Sequence, residues 1–311
     1  MTFDRARMAR DLREGLSEQP RRIPPKYFYD ERGSRLFDEI TRLPEYYPTR
    51  AERELLIRWS RTIIGIARPR TLVELGAGSA DKTRTILDEM LRAAQDDVTY
   101  IPVDVSAGFL AQSAAQLRDE YPSLCITPVA ADFSTHFALP DHPSPALHAF
   151  LGSTIGNFTP DEAVSLVSSV RERMESGDYF LLGVDLRKDS ALIESAYNDS
   201  RGVTARFNRN MLSVINDCLG ANFNVSAFDH SAIYNEREHR IEMRLIARAE
   251  QSVAIPDVGD FTFADGDWIL TEVSYKYDRA LAADVLAQSE LVLREWFTDD
   301  AGLFALALSS R

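Results

Sequence analysis

Leu72-Val73-Glu74-Leu75-Gly76-Ala77-Gly78-Ser79-Ala80-Asp81-Lys82-Thr83 is an apolar run that breaks into glycines and passes directly into a helical pattern. Strand, glycine turn and helix in that order make a nucleotide-binding corner. Gly76 and Gly78 can take backbone angles closed to other residues and let the main chain approach a ligand closely. A dinucleotide fingerprint would place a third glycine three residues after Gly78, where this chain has Asp81. Asp81 would also repel a diphosphate. An acid in the strand (Glu74), then G-x-G without the third glycine, fits a cofactor lacking phosphate, of which S-adenosylmethionine is the common one. For these residues alone, a glycine turn that binds nothing is the competing reading.

The following strands weaken that competitor. The run Val98-Thr99-Tyr100-Ile101-Pro102-Val103 ends in Asp104, where a carboxylate can accept both ribose hydroxyls. A third run, 124–130, ends in Ala131-Asp132-Phe133, offering an acceptor for an adenine amino group and a ring to pack against the base. Each acid alone would more often be a helix cap. Three strand ends in register, each with a suitable polar group, point to the carboxyl edge of an open α/β sheet, where such sheets bind ligands.

From 71 to about 185, apolar strands alternate with helical segments over 80–93, 107–119 and 160–175, the pattern of a parallel doubly wound sheet. At the C-terminus, apolar runs over 291–297 and 303–308 flank Thr298-Asp299-Asp300-Ala301-Gly302, a closing hairpin. The expected fold class is α/β: a Rossmann-like methyltransferase sheet with an antiparallel last strand, plus a discontinuous α+β substrate domain. The N-terminal part reads as helices broken by a Pro- and aromatic-rich loop. After 185 come helices over 190–197 and 203–219, then strands over 227–234 and 240–249. The expected domains are 62–196 with 286–311 for the cofactor, and 1–61 with 197–285 for the substrate.

With 311 residues and 45% hydrophobic content the chain can bury a proper core. Its net charge of −13 makes nucleic acid a poor candidate partner. Cys125 and Cys218, one in an apolar strand and one in a helix, are expected as buried free thiols in a reducing compartment. The N-terminus has no apolar leader pattern and no run approaches a membrane span, so a cytoplasmic location without membrane contact is expected. The five histidines show no metal-ligand spacing, no G-x-S-x-G elbow occurs, and nothing identifies a protein partner.

Phe150-Leu151-Gly152-Ser153-Thr154-Ile155-Gly156-Asn157-Phe158-Thr159-Pro160 follows the fourth strand, where such a fold presents the group being modified. Asn157 brings a donor and an acceptor, or it caps a turn before the helix at Pro160; the motif alone leaves these even. Tyr27, Phe28, Tyr29, Tyr46 and Tyr47 either close over a cationic ligand or pack helices onto a sheet. Glu272 and Ser274, taken without context, are surface polar residues.

Pro24-Pro25-Lys26-Tyr27-Phe28-Tyr29-Asp30, Gly33-Ser34, Leu36-Phe37 and Leu43-Pro44-Glu45-Tyr46-Tyr47-Pro48-Thr49-Arg50 resemble histidine Nα-methyltransferases of ergothioneine biosynthesis. So do Glu74-Leu75-Gly76-Ala77-Gly78, 150–157, Phe207-Asn208-Arg209-Asn210, Arg240-Ile241-Glu242-Met243 and Thr271-Glu272-Val273-Ser274. The resemblance covers nearly the whole chain. It implies that S-adenosylmethionine is held by Tyr29, Gly76, Lys82, Asp104, Asp132 and Phe133. It implies that Gly152, Asn157 and Tyr197 hold the amino-acid end of L-histidine, with Tyr46, Met243, Glu272 and Ser274 around the imidazole. The implied reaction is trimethylation of the α-amino group to hercynine, with Tyr29 or a water on Asn157 as proton acceptor. The alternative is a related N-methyltransferase acting on another amino acid such as tryptophan; an oxidoreductase or a non-catalytic binding module is a more remote rival.

Overall fold

The computed structural model describes residues 3–93, 97–132 and 137–311. Within them the helices are α1 (Arg5–Ser17), α2 (Glu31–Ile40), α3 (Tyr47–Ala67), α4 (Thr83–Ala93), α5 (Ala107–Glu120), α6 (Pro160–Arg171), α7 (Ser190–Tyr197), α8 (Val203–Leu219) and α9 (Arg279–Gln288). The strands begin with β1 (Arg21–Arg22), β2 (Thr71–Leu75), β3 (Val98–Asp104), β4 (Leu124–Ile126), β5 (Val129–Ala130), β6 (Ala146–Phe150) and β7 (Tyr179–Asp185). They continue with β8 (Phe228–Asn235), β9 (Arg240–Ala247), β10 (Gln251–Ile255), β11 (Gly259–Phe263), β12 (Trp268–Tyr275), β13 (Val292–Thr298) and β14 (Phe304–Ser310).

Two compact units form. The first comprises the chain to Tyr47 together with Asp189–Ser274, the second Pro48–Lys188 together with Tyr275–Arg311. These breaks differ from the expected ones. Residues 48–61 and 275–285, expected with the substrate domain, fold with the sheet of the second unit, and 189–196 fold with the first. The reason at the first break is α3: one continuous helix from Tyr47 carries Ala51, Leu55, Leu56, Ile63 and Ile64 into the core of the second unit.

In the second unit the strand order is β13-β14-β7-β6-β2-β3-β4, with β5 also beside β3. β7, β6, β2, β3 and β4 run parallel. β14 runs antiparallel to both β7 and β13, the closing hairpin expected from the sequence. Every residue of β2 and of β6 is buried, as in a parallel sheet covered on both faces. From β2 the chain winds outward to β3 and β4, then returns to β6 and β7 on the other side. The switch point therefore falls between β2 and β6, where Leu75 pairs with Phe150, and the loops after these strands flank the crevice that doubly wound sheets use for ligands.

Three local expectations are corrected. The helix after the glycine turn starts at Thr83 rather than Ala80, because Ala80 sits in the left-handed region at φ 54°. The single strand expected over 124–130 is two short pieces, since Pro128 between them has no N–H for the ladder. Cys125 is exposed rather than buried, because β4 is the edge strand and its burial alternates; Cys218 is half-buried, and both thiols are free.

The first unit holds a four-stranded sheet, β1-β12-β9-β8, and a separate β10–β11 hairpin. α8 is stitched to this sheet by Asn208, whose Nδ2 donates to the Arg244 carbonyl at 3.0 Å and whose Oδ1 accepts from Thr271 Oγ1 at 2.7 Å. Asn210 donates to Asp30, the N-cap of α2, at 2.8 Å, and the Phe207 ring stacks on Phe28 at 4.5 Å. The Phe207–Asn210 motif thus assembles this unit. Among the described residues no helix is long and apolar enough to cross a membrane.

Candidate active site

In the second unit the turn after β2 places Gly76 at φ 69° and Gly78 at φ 52°, both in the region that favours glycine. The N–H groups of Gly76 and Ala77 donate to the Val103 carbonyl at 2.8 and 3.3 Å, which ties the turn to the end of β3. Asp104, the last residue of β3, accepts from the Gly78 N–H at 3.1 Å through Oδ2 and from the Ser106 N–H at 2.9 Å through Oδ1. Burial raises its pKa above the ordinary carboxylate value, while these backbone donors oppose the rise. Each carboxylate oxygen accepts two hydrogen bonds, so capacity remains for a diol. Asp132 follows β5 beside this strand end, where the Ala131 N–H donates to the Asp104 carbonyl at 3.0 Å. Phe133 lies outside the described residues.

Glu74 is buried one residue before the end of β2. It meets Thr83 Oγ1 at 2.8 Å and accepts from the Tyr100 hydroxyl, so it joins the strand before the glycine turn to the helix after it. Burial pushes its pKa up to about 7, against the lowering effect of Tyr100 and Thr83. Asp81 is on the surface in an ion pair with Arg84 at 3.1 Å. The missing third glycine, rather than a free charge at Asp81, is what sets this turn apart from a diphosphate site.

The loop after β6 passes through Gly152 at φ 76° and Ser153 at φ 55°, then makes a single 3₁₀ turn over Thr154–Asn157, with Asn157 half-buried. Ser153 Oγ accepts the Asp185 N–H at 2.8 Å, which holds the loop to the end of β7. The Gly152 N–H donates to Glu52 Oε1 at 2.7 Å, and the Lys82 ammonium pairs with Glu52 Oε2. Glu52 was not among the residues expected from the sequence. Its signal was there: it occupies the stripe of α3 shared with Leu55, Leu56 and Ile63, where an acid is out of place.

In the first unit the Tyr197 hydroxyl and Ser274 Oγ are 3.1 Å apart, and the Tyr46 and Tyr197 rings meet edge to face at 6.1 Å. Glu272 and Ser274 are two residues apart on β12 and so share one face, and both are buried, contrary to the reading of them as surface residues. Met243 is buried on neighbouring β9, its carbonyl accepting from Thr271 Oγ1 at 3.1 Å. The Tyr29 ring packs on Phe37 at 5.7 Å and Phe207 at 5.6 Å. Tyr27 and Phe28 are buried, and Tyr27 donates to Asp11 at 2.7 Å, so these two serve packing. The structure brings Tyr46, Tyr197 and Ser274 together in one unit. It brings Gly76, Asp104 and Asp132 together at strand ends in the other, with Lys82 beside Gly152. Among the described residues no group of His, Cys, Asp or Glu is placed to hold a metal ion.

These features suit S-adenosylmethionine: a glycine corner for close main-chain approach, a strand-end carboxylate with acceptor capacity, and no third glycine for pyrophosphate. A family model described as histidine-specific methyltransferase, SAM-dependent, matches residues 8–311. The chain is 46% identical to the histidine N-alpha-methyltransferase of Mycolicibacterium smegmatis, over 98% of this chain and 95% of that protein. It is 44% identical to the enzyme of the same name from Mycobacterium tuberculosis, again over 98% and 95%. The L-tryptophan methyltransferase trpM of Psilocybe serbica is more distant, 28% identical over 94% of this chain and 90% of that one.

Proposed function

The chain belongs to the SAM-dependent histidine-specific methyltransferase family, and from that premise we propose that it trimethylates the α-amino group of L-histidine to hercynine, the first step of ergothioneine biosynthesis. The 44–46% identity to two histidine N-alpha-methyltransferases over nearly the full length supports histidine over tryptophan. The structural observation that carries the reading is the buried pair Glu272 and Ser274 on β12, with the Tyr197 hydroxyl on Ser274. A carboxylate and a hydroxyl match an imidazole ring, which has an N–H to donate and a nitrogen to accept.

In this reading Gly76, Lys82, Asp104, Asp132 and Tyr29 bind S-adenosylmethionine, with Phe133 as a further candidate. Gly152, Asn157 and Tyr197 take the amino-acid end of histidine; Tyr46, Met243, Glu272 and Ser274 take the ring. The cofactor residues other than Tyr29 thereby belong to the second unit, and all of the imidazole residues belong to the first. When bound, S-adenosylmethionine supplies a methyl group on a sulfonium whose leaving thioether is neutral, so no strong acid is required of the protein. The chain's task is to present a neutral amine in line, and orientation alone contributes several kcal/mol to such a step. Burial disfavours the ammonium form of the substrate. Tyr29, or a water held by Asn157, then takes the proton. The two free thiols agree with a cytoplasmic location.

Glu272→Ala tests the assignment. The mutation leaves the imidazole N–H without its partner, costing about 1–3 kcal/mol or roughly a 5- to 150-fold fall in kcat/KM for histidine. It also removes the desolvation penalty that excludes an apolar ring, so kcat/KM for tryptophan relative to histidine should rise. An undiminished preference for histidine in the folded variant would show that Glu272 does not read the ring.

A further inference from the structure

Glu52 has a fully buried side chain whose two oxygens serve two different loops. Oε1 accepts the Gly152 N–H in the loop after β6, and Oε2 takes the Lys82 ammonium from the turn after β2. The fold makes room for it: a Cβ at Gly183 on β7 would stand 2.3 Å from Oε1. The two loops are also close at this point, since a Cβ at Gly152 would come within 3.5 Å of Lys82 Nζ. A buried ion pair is often no more stabilising than apolar residues of the same volume, so stability alone gives little reason for a carboxylate here. Its geometry gives another reason.

We propose that Glu52 is a positioning residue that locks the Lys82 ammonium to the Gly152 amide, so that the cofactor subsite after β2 and the substrate subsite after β6 become ordered together. The proposal rests on the reading of Lys82 as a cofactor residue and of Gly152 as a substrate residue. Ordering one loop through Glu52 leaves less to order at the other, so occupancy of one subsite tightens the other, and the coupling is reciprocal.

The test is calorimetry on the full chain with S-adenosylhomocysteine and L-histidine, comparing wild type with Glu52→Gln, Lys82→Met, the double variant and Gly183→Ala. In wild type, saturating S-adenosylhomocysteine should tighten histidine binding at least fivefold. Glu52→Gln should weaken S-adenosylhomocysteine about tenfold and cut that coupling below twofold, an effect that a merely structural role would not produce. Combined with Lys82→Met it should add less than a further twofold loss of S-adenosylhomocysteine affinity. Gly183→Ala keeps every charge but displaces the carboxylate; it should reproduce the loss of coupling, and it decides the matter if Glu52→Gln does not fold. Wild-type affinities and coupling in the folded variants would overturn the proposal, as would losses from Glu52→Gln and Lys82→Met that simply add. Unchanged S-adenosylhomocysteine affinity in Lys82→Met would instead refute the cofactor role of Lys82, and with it the premise.

Discussion

Glu74 shows how one buried side chain makes the glycine corner after β2 sensitive to pH. Its pKa rises from an ordinary 4.5 to about 7 because burial disfavours the carboxylate. Between those values the folded protein keeps a proton that the unfolded chain has released. Stability from this group is therefore complete below about pH 4.5, falls as pH rises toward 7, and is level above that. Glu74→Gln keeps an acceptor for Tyr100 but cannot ionise. Urea unfolding at pH 5, 6, 7 and 8 should show the wild type losing roughly 2–3 kcal/mol relative to the variant across this range. Parallel pH profiles for the two proteins would show that Glu74 does not titrate in the fold. The sequence identified Glu74 as the acid before the turn, but not its partners. Thr83 and Tyr100 lie 9 and 26 residues away and meet it only once β2, β3 and α4 are packed.

The loop that carries Gly152 and Asn157 ends in a capping box. The Glu162 side chain accepts the Thr159 N–H at 2.8 Å, Thr159 Oγ1 meets the Glu162 N–H at 3.4 Å, and Pro160 opens α6. The cap satisfies N–H groups at the helix start and fixes where the loop stops. Thr159→Ala should lower unfolding stability by about 1 kcal/mol, measured by urea denaturation. No change would mean that the box is already broken in solution. At this scale, elements were legible where a local rule governs them: the apolar strand before the glycines, the Pro-initiated helix, the closing hairpin. Where a backbone exception governs, the expectation slipped. Ala80 in the left-handed region delays α4, and Pro128 divides one expected strand into β4 and β5. Glu272 and Ser274 looked like surface residues because their burial depends on chain brought in from far along the sequence, such as Tyr197.

Across the whole molecule the chain passes between its two units three times, at residues 47/48, 188/189 and 274/275. That discontinuity was legible as a change of pattern, from alternating strand and helix to helices followed by antiparallel strands. The positions of the breaks were not legible: Pro48 at the first reads as the start of a helix rather than as a boundary between units, and β12 runs through the third without a glycine or proline to mark it. The residues assigned to the imidazole, Tyr46, Met243, Glu272 and Ser274, all lie in the first unit. Only specificity measured on the intact chain tests them together. The most direct measurement is mass spectrometry of the products formed from a panel of amino acids, histidine and tryptophan among them, with S-adenosylmethionine. Histidine should gain three methyl groups while the others remain unmodified. Inert histidine alongside methylation of tryptophan or another amino acid would contradict the account.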